Sequence, residues 1–138
     1  SNNGPIIGCY IRGGSLENVK SKFFFNYMGG IAATTNADIL ACYAAPASMK
    51  VVSGVPGGIV EYSKGNITAN YWETIAGVSW GIGDKGNNDN ATPAPNGLTA
   101  EVIQIMNDAI TAWNASEANT VKCNYHWTVD GIVPGEPQ

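Results

Sequence analysis

Ala37-Asp38-Ile39-Leu40-Ala41-Cys42-Tyr43-Ala44-Ala45 is the stretch on which the fold turns. It reads as a short helix capped by Asn36, or as a buried strand ending at Pro46. An apolar run of this length does not decide between the two. Its alanine content tilts the reading toward helix.

Outward from it, the N-terminal side reads as strand then helix. Pro5 to Arg12 is a strand with Ile7, Cys9 and Ile11 on one face. Gly13-Gly14-Ser15 breaks it, and Ser15 is placed to cap a helix over Leu16 to Met28. Glu17 complements the helix dipole in the first turn, and Gly29-Gly30 supplies the stop. Phe23-Phe24-Phe25 reads as a helix packed on two sides, with Phe25 turned toward a partner subunit or a membrane.

On the C-terminal side, Met49–Ser53 and Gly58–Ser63 read as a hairpin about the turn Gly54-Val55-Pro56-Gly57. Ser63-Lys64-Gly65-Asn66 is the next turn. Ile67 to Ile82 is a long strand, or two joined by a bulge at Gly77. Its even positions (Trp72, Thr74, Ala76, Val78, Trp80, Ile82) form an apolar face. A Gly-, Asn- and Pro-rich loop, Gly83 to Asn96, leads to the clearest helix, capped by Thr99 and running to about Trp113. In the last strand, Thr120 to Val129, residues Val121, Cys123, Tyr125, Trp127 and Val129 face inward. The sum is one α+β domain over residues 1–138. The expected architecture is a sandwich of an antiparallel or mixed sheet packed with two or three helices.

Composition narrows the function. Charged residues are 13% of the chain, about half the usual ~25%. The net charge is −4, with 7 basic residues. Those residues are scattered, which argues against nucleic-acid binding. One histidine and three cysteines cannot build a conventional zinc site, and no cofactor is expected. Gly77-Val78-Ser79-Trp80-Gly81 fits GxSxG and Gly81–Gly86 fits GxGxxG by letter. Both lack the helix that must follow. No transmembrane run is present. Ser1 in place of Met, with no signal peptide, reads as a processed or trimmed chain.

The best candidate site is Trp80 with the loop after it. Asp84, Asn87, Asn88 and Asp89 offer the paired donors and acceptors that sugar hydroxyls require. Trp80 offers a flat apolar platform, and the glycines let backbone approach a ligand. Tyr71, opposite in parity to Trp72, is a second stacking residue. A calcium site built from Asp84, Asn88, Asp89 and Asn90 is an alternative, without EF-hand spacing. Glu61, Glu73, Asp84 and Asp89 are the carboxylates available to a glycoside hydrolase. His126 lies on the wet face of the last strand. Asn66, Asn90 and Asn114 fit the N-glycosylation sequon. Cys9 and Cys123 fall in strand-like segments and are candidates to pair across a sheet, leaving Cys42 as the odd thiol.

The final amphipathic helix followed by Cys123-Asn124-Tyr125-His126-Trp127 resembles small secreted fungal α/β proteins. These are the killer-toxin-like and effector-like sandwiches and the small mushroom lectins. The resemblance implies a secreted, non-enzymatic protein that acts by binding. With the composition, it leads to an extracellular lectin-like protein whose partner is a glycan or glycoprotein, with a homodimer open. A toxin or effector acting on a membrane or protein target is the second reading. A carboxylate glycoside hydrolase is the third.

Overall fold

Strands of two to seven residues, separated by sharp bends, make up most of the chain. The structure is a computed structural model and describes residues 4–17, 27–51 and 54–138. The strands fall into four successive rungs. The first holds β1 (Ile6–Ile7), β2 (Tyr10–Arg12) and β3 (Ser15–Glu17). The second holds β4 (Ala32–Thr35), β5 (Ile39–Leu40), β6 (Tyr43–Ala45) and β7 (Ser48–Lys50). The third holds β8 (Gly57–Ser63), β9 (Ile67–Thr68) and β10 (Asn70–Trp72), and the fourth β11 (Trp80–Ile82) and β12 (Ala91–Pro93).

Each rung lies on the one before it. The sheets run β1-β5-β9, β2-β6-β10-β12, β4-β8-β11 and β3-β7, and every pairing in them is parallel. In register, Ile6, Ile39 and Ile67 form one column, and Tyr10, Tyr43 and Tyr71 another. A chain that returns to the same columns with parallel pairing is a short β-solenoid, in which each rung rests on its neighbours.

The corner between the first two columns explains the local geometry. Gly8, Ala41, Ala69 and Asn90 occupy the same place in successive rungs and have φ of 63°, 50°, 53° and 57°. The left-handed conformation costs an L-residue roughly 1–2 kcal/mol. Stacking of one bend on the next sustains it. The bend also divides side chains between two cores. Ile39, Cys42, Ala44, Ile59, Val60, Trp72, Ile82 and Ala91 fill the solenoid interior. Gly58 is a necessity there, because a Cβ would run into the Trp72 indole.

The second core lies outside. Leu40, Tyr43 and Ala45 face outward and are covered by helix α1 (Ala100–Ala115) and by the antiparallel hairpin of β13 (Tyr125–Thr128) and β14 (Gly131–Pro134). Thr99 Oγ accepts from Val102 N at 3.3 Å, which starts the helix as expected. Met106 and Ile110 are its buried residues. Trp127 anchors the hairpin: its Nε1 donates to the Ala41 carbonyl at 2.8 Å, and its ring meets Tyr10 edge-on at 5.4 Å. The Asn107 amide brackets Trp127, accepting from its N–H at 2.7 Å and donating to its carbonyl at 3.0 Å.

This architecture corrects the expected α+β sandwich. The small sheets of the rungs are parallel, and α1 is the one helix among the described residues. Residues 37–45 are two strands about the Ala41 bend rather than a helix, because Asn70 and the flanking rungs satisfy their backbone. Ser15 does not cap a helix: Ser15–Glu17 is a strand paired with Ser48–Lys50. The expected helix over 16–28 otherwise falls largely outside the described residues, as do Phe23, Phe24 and Phe25. The hairpin expected between 49–53 and 58–63 does not form. β7 pairs with β3, and β8 with β4 and β11. The long strand at 67–82 is three short ones, and of its even positions Trp72 and Ile82 are buried whereas Thr74, Ala76 and Trp80 are exposed. The last strand is confined to Tyr125–Thr128. Of its expected inward residues, Cys123 and Trp127 are buried, whereas Val121, Tyr125 and Val129 are exposed.

Candidate functional site

Trp80 begins β11 on the last rung of its sheet and is 40% exposed. It therefore stands outside the interior, away from the buried even-numbered neighbours Trp72 and Ile82. The loop after it is held by its own side chains. Asn88 Oδ1 accepts from Gly81 N at 2.7 Å, and Asn87 Oδ1 accepts from Asp89 N at 3.1 Å. Ile82 N donates to the Asn87 carbonyl at 3.0 Å, and Asp84 N to the Glu61 carbonyl at 2.7 Å. Gly86 sits beside the Trp80 indole nitrogen.

This folding back opens a cleft of about 200 Å³ between the 63–67 turn and the 83–90 loop. Asn66, Lys85, Asn87, Asp89 and Asn90 supply its polar lining. The two segments meet because their rungs are stacked: Asn70 opposes Ala91, so the turn before β9 lies against the loop before β12. Among the described residues, the side chains of Asn66, Lys85, Asp89 and Asn90 make no hydrogen bond or ion pair. The cleft thus joins Asn87 and Asp89 of the expected site. It adds Asn66 and Lys85, which the sequence reading had not assigned to ligand binding, and Asn90, which it placed only in the calcium alternative. Asn88 is committed to Gly81. Asp84 is exposed and its charge acts on Glu61.

Tyr71 is elsewhere. It packs into the outer core, where burial and the nearby Glu101 raise its pKa. It shares no surface with the Lys85 cleft.

A second pocket, about 130 Å³, is lined by Tyr10, Arg12, Tyr43, Ala45, Glu73 and Leu98, with Val129 at its edge. Arg12 opposes Ala45, and Glu73 follows Trp72, which opposes Ala44. The cation and the carboxylate therefore sit one rung to either side of a small alanine. Tyr43 Oη donates to Glu73 Oε1 at 2.9 Å, and its pKa rises through burial and that carboxylate.

The remaining candidates separate widely. Glu73 lines the Arg12 pocket, Asp89 the Lys85 cleft, and buried Glu61 accepts from Met28 N at 3.0 Å. Glu61 and Asp84 come near enough for their charges to interact. Among the described residues, no three His, Cys, Asp or Glu side chains converge on a point suited to a metal ion. His126 Nδ1 is 2.8 Å from the Gly135 carbonyl. Asn66 and Asn90 are exposed. Asn114 donates to the Cys123 carbonyl and accepts from its N–H, both at 2.8 Å, so its amide is already engaged.

All three cysteines are free thiols. The expected Cys9–Cys123 bridge is not formed. Cys123 lies in the outer core, whereas Cys9 stacks on Cys42 at 4.5 Å. The signal for this arrangement is the repeat Ile-x-x-[Cys/Asn]-Tyr at Ile6, Ile39 and Ile67, which the sequence reading missed.

Comparison of the chain with protein-family models, with curated proteins and with solved structures gives no match. Among the described residues no helix is long and apolar enough to cross a membrane.

Proposed function

We propose that the protein is a secreted, non-enzymatic carbohydrate-binding protein that takes a sugar ring in the Lys85 cleft, with Trp80 beside the loop as an apolar platform. The observation that supports this most is the unengaged polar lining. Asn66, Lys85, Asp89 and Asn90 present both donors and acceptors to one opening, and hydroxyl recognition requires both. The volume is below the roughly 300–1,000 Å³ of a drug-sized pocket, which suits one ring rather than an extended chain. The loop's own hydrogen bonds fix it before a ligand arrives, which lowers the ordering cost of binding.

Asn66 and Asn90 line the cleft and also carry sequons, so a glycan attached to either would occupy the same surface. The test therefore uses protein made in a host that does not glycosylate. A glycan array identifies the ligand, and calorimetric titration compares wild type with Asp89→Ala, Trp80→Ala and Arg12→Ala. Asp89→Ala and Trp80→Ala are expected to weaken binding about tenfold or more, equal to about 1.4 kcal/mol or more. Arg12→Ala, outside the cleft, retains it. Failure to bind any glycan defeats the function. Binding unchanged by Asp89→Ala and Trp80→Ala defeats the site.

A further inference from the structure

The β2–β6 register, with Tyr10 opposite Tyr43, sets Cys9 directly over Cys42 on the adjoining rung. The two cysteines are 4.5 Å apart, and Cys9 N donates to Cys42 Sγ at 3.3 Å. Neighbouring parallel strands are about 4.8 Å apart, inside the roughly 4.4–6.8 Å Cα separation that a disulfide spans. The pair is asymmetric in access: Cys9 is exposed at the first rung, whereas Cys42 is buried in the interior. Cys123 lies in the outer core rather than the interior that holds Cys42, with its backbone held by Asn114.

We propose that Cys9 and Cys42 are a redox pair that closes into a cross-rung disulfide by exchange with a small-molecule disulfide such as oxidised glutathione. The Cys9 thiolate attacks one glutathione sulfur, forming a mixed disulfide and releasing one glutathione thiolate, which takes up a proton. Cys42 then loses its proton and attacks the Cys9 sulfur, releasing the second glutathione. Two protein thiols are oxidised and one glutathione disulfide is reduced to two thiols. The Cys9 pKa, lowered to about 6 by the adjacent Cys42 thiol, supplies thiolate for the first step. Burial raises the Cys42 pKa and makes the second step the slower one. The bond would staple β2, which among the described residues has a strand partner on one side only, to the rung beneath it.

The test is on the wild-type chain. Reduced protein is treated with glutathione disulfide at neutral pH, free thiols are blocked, and peptides are mapped without reduction. A Cys9–Cys42 cross-link is expected, with a transient glutathione adduct on Cys9, Cys123 left as the blocked thiol, and a melting temperature above that of the reduced form. In the Cys42→Ala chain the adduct persists on Cys9. Because that variant leaves a small interior gap, Cys9→Ser, at the exposed end, is the second control and leaves Cys42 unmodified. A Cys9–Cys123 link, a persistent Cys9 adduct in wild type, linkage between chains, or two unreacted thiols would each overturn the proposal.

Discussion

The Asn70 side chain completes the backbone of Cys42 one rung away. Its Oδ1 accepts from Cys42 N at 2.8 Å, and its Nδ2 donates to the Ile39 carbonyl at 2.9 Å. Cys42 repeats the arrangement toward the first rung, with its Sγ accepting from Cys9 N at 3.3 Å and facing the Ile6 carbonyl at 3.7 Å. In both rungs the bracketed groups flank the residue at the left-handed corner. Replacing Asn70 by Ala leaves the Cys42 N–H without its partner inside the protein. An unmatched buried group costs about 1–3 kcal/mol, so Asn70→Ala is expected to lose about that much in urea unfolding. Asn70→Cys, which copies the second rung into the third, loses less.

The same corner shows why the fold was only partly legible. The segments beginning at Ile6, Ile39 and Ile67 share a pattern, but unequal spacing, 33 then 28 residues, hides it from a search for fixed periods. Period-two alternation continues in the sequence through Gly8 and Ala69, where a bend redirects the chain, so short strands on different faces look like long ones. The alanines of 37–45 favoured helix by propensity, and stacking overrode it. The Thr99 helix was readable because its cap and apolar stripe are local. The Lys85 cleft was half readable: the loop is contiguous in sequence, but Asn66 reaches it only through rung stacking.

Trp127 ties the helix and hairpin to the Ala41 corner. Trp127→Ala is expected to cost about 3–5 kcal/mol, as for other large buried aromatic residues. Trp127→Phe keeps most of the packing but strands the Ala41 carbonyl, and is expected to cost about 1–3 kcal/mol. Chemical denaturation of the two variants separates the hydrogen bond from the packing.

Cys9 is expected to be the first thiol alkylated by iodoacetamide. Its rate should reach half its maximum near pH 6, where the adjacent thiol has brought its pKa. Removing that thiol in Cys42→Ala should move the midpoint up toward the ordinary value of 9.0. Cys123, whose pKa is raised by burial, reacts only in more alkaline solution. Mass spectrometry of timed samples across pH reads all three profiles.

Glu61 gives a pH dependence of definite sign. Burial raises its pKa above the ordinary 4.5, the Met28 N–H opposes that, and the Asp84 charge adds to it. The folded protein therefore holds the Glu61 proton to higher pH than the unfolded chain does. Stability from this group is fully present below the unfolded pKa and is lost as pH rises through the folded one. Glu61→Gln cannot ionise, yet keeps an oxygen to accept from Met28. At neutral pH the variant is expected to melt higher than wild type. As pH falls toward 4.5 the difference should shrink, because wild type regains a neutral side chain there. Asp84→Asn, which removes one cause of the raised pKa, should shift that crossover to lower pH. Melting temperatures of the three proteins from neutral pH down to the ordinary carboxylate range measure it, and a difference between wild type and Glu61→Gln that does not change with pH would remove Glu61 as its source.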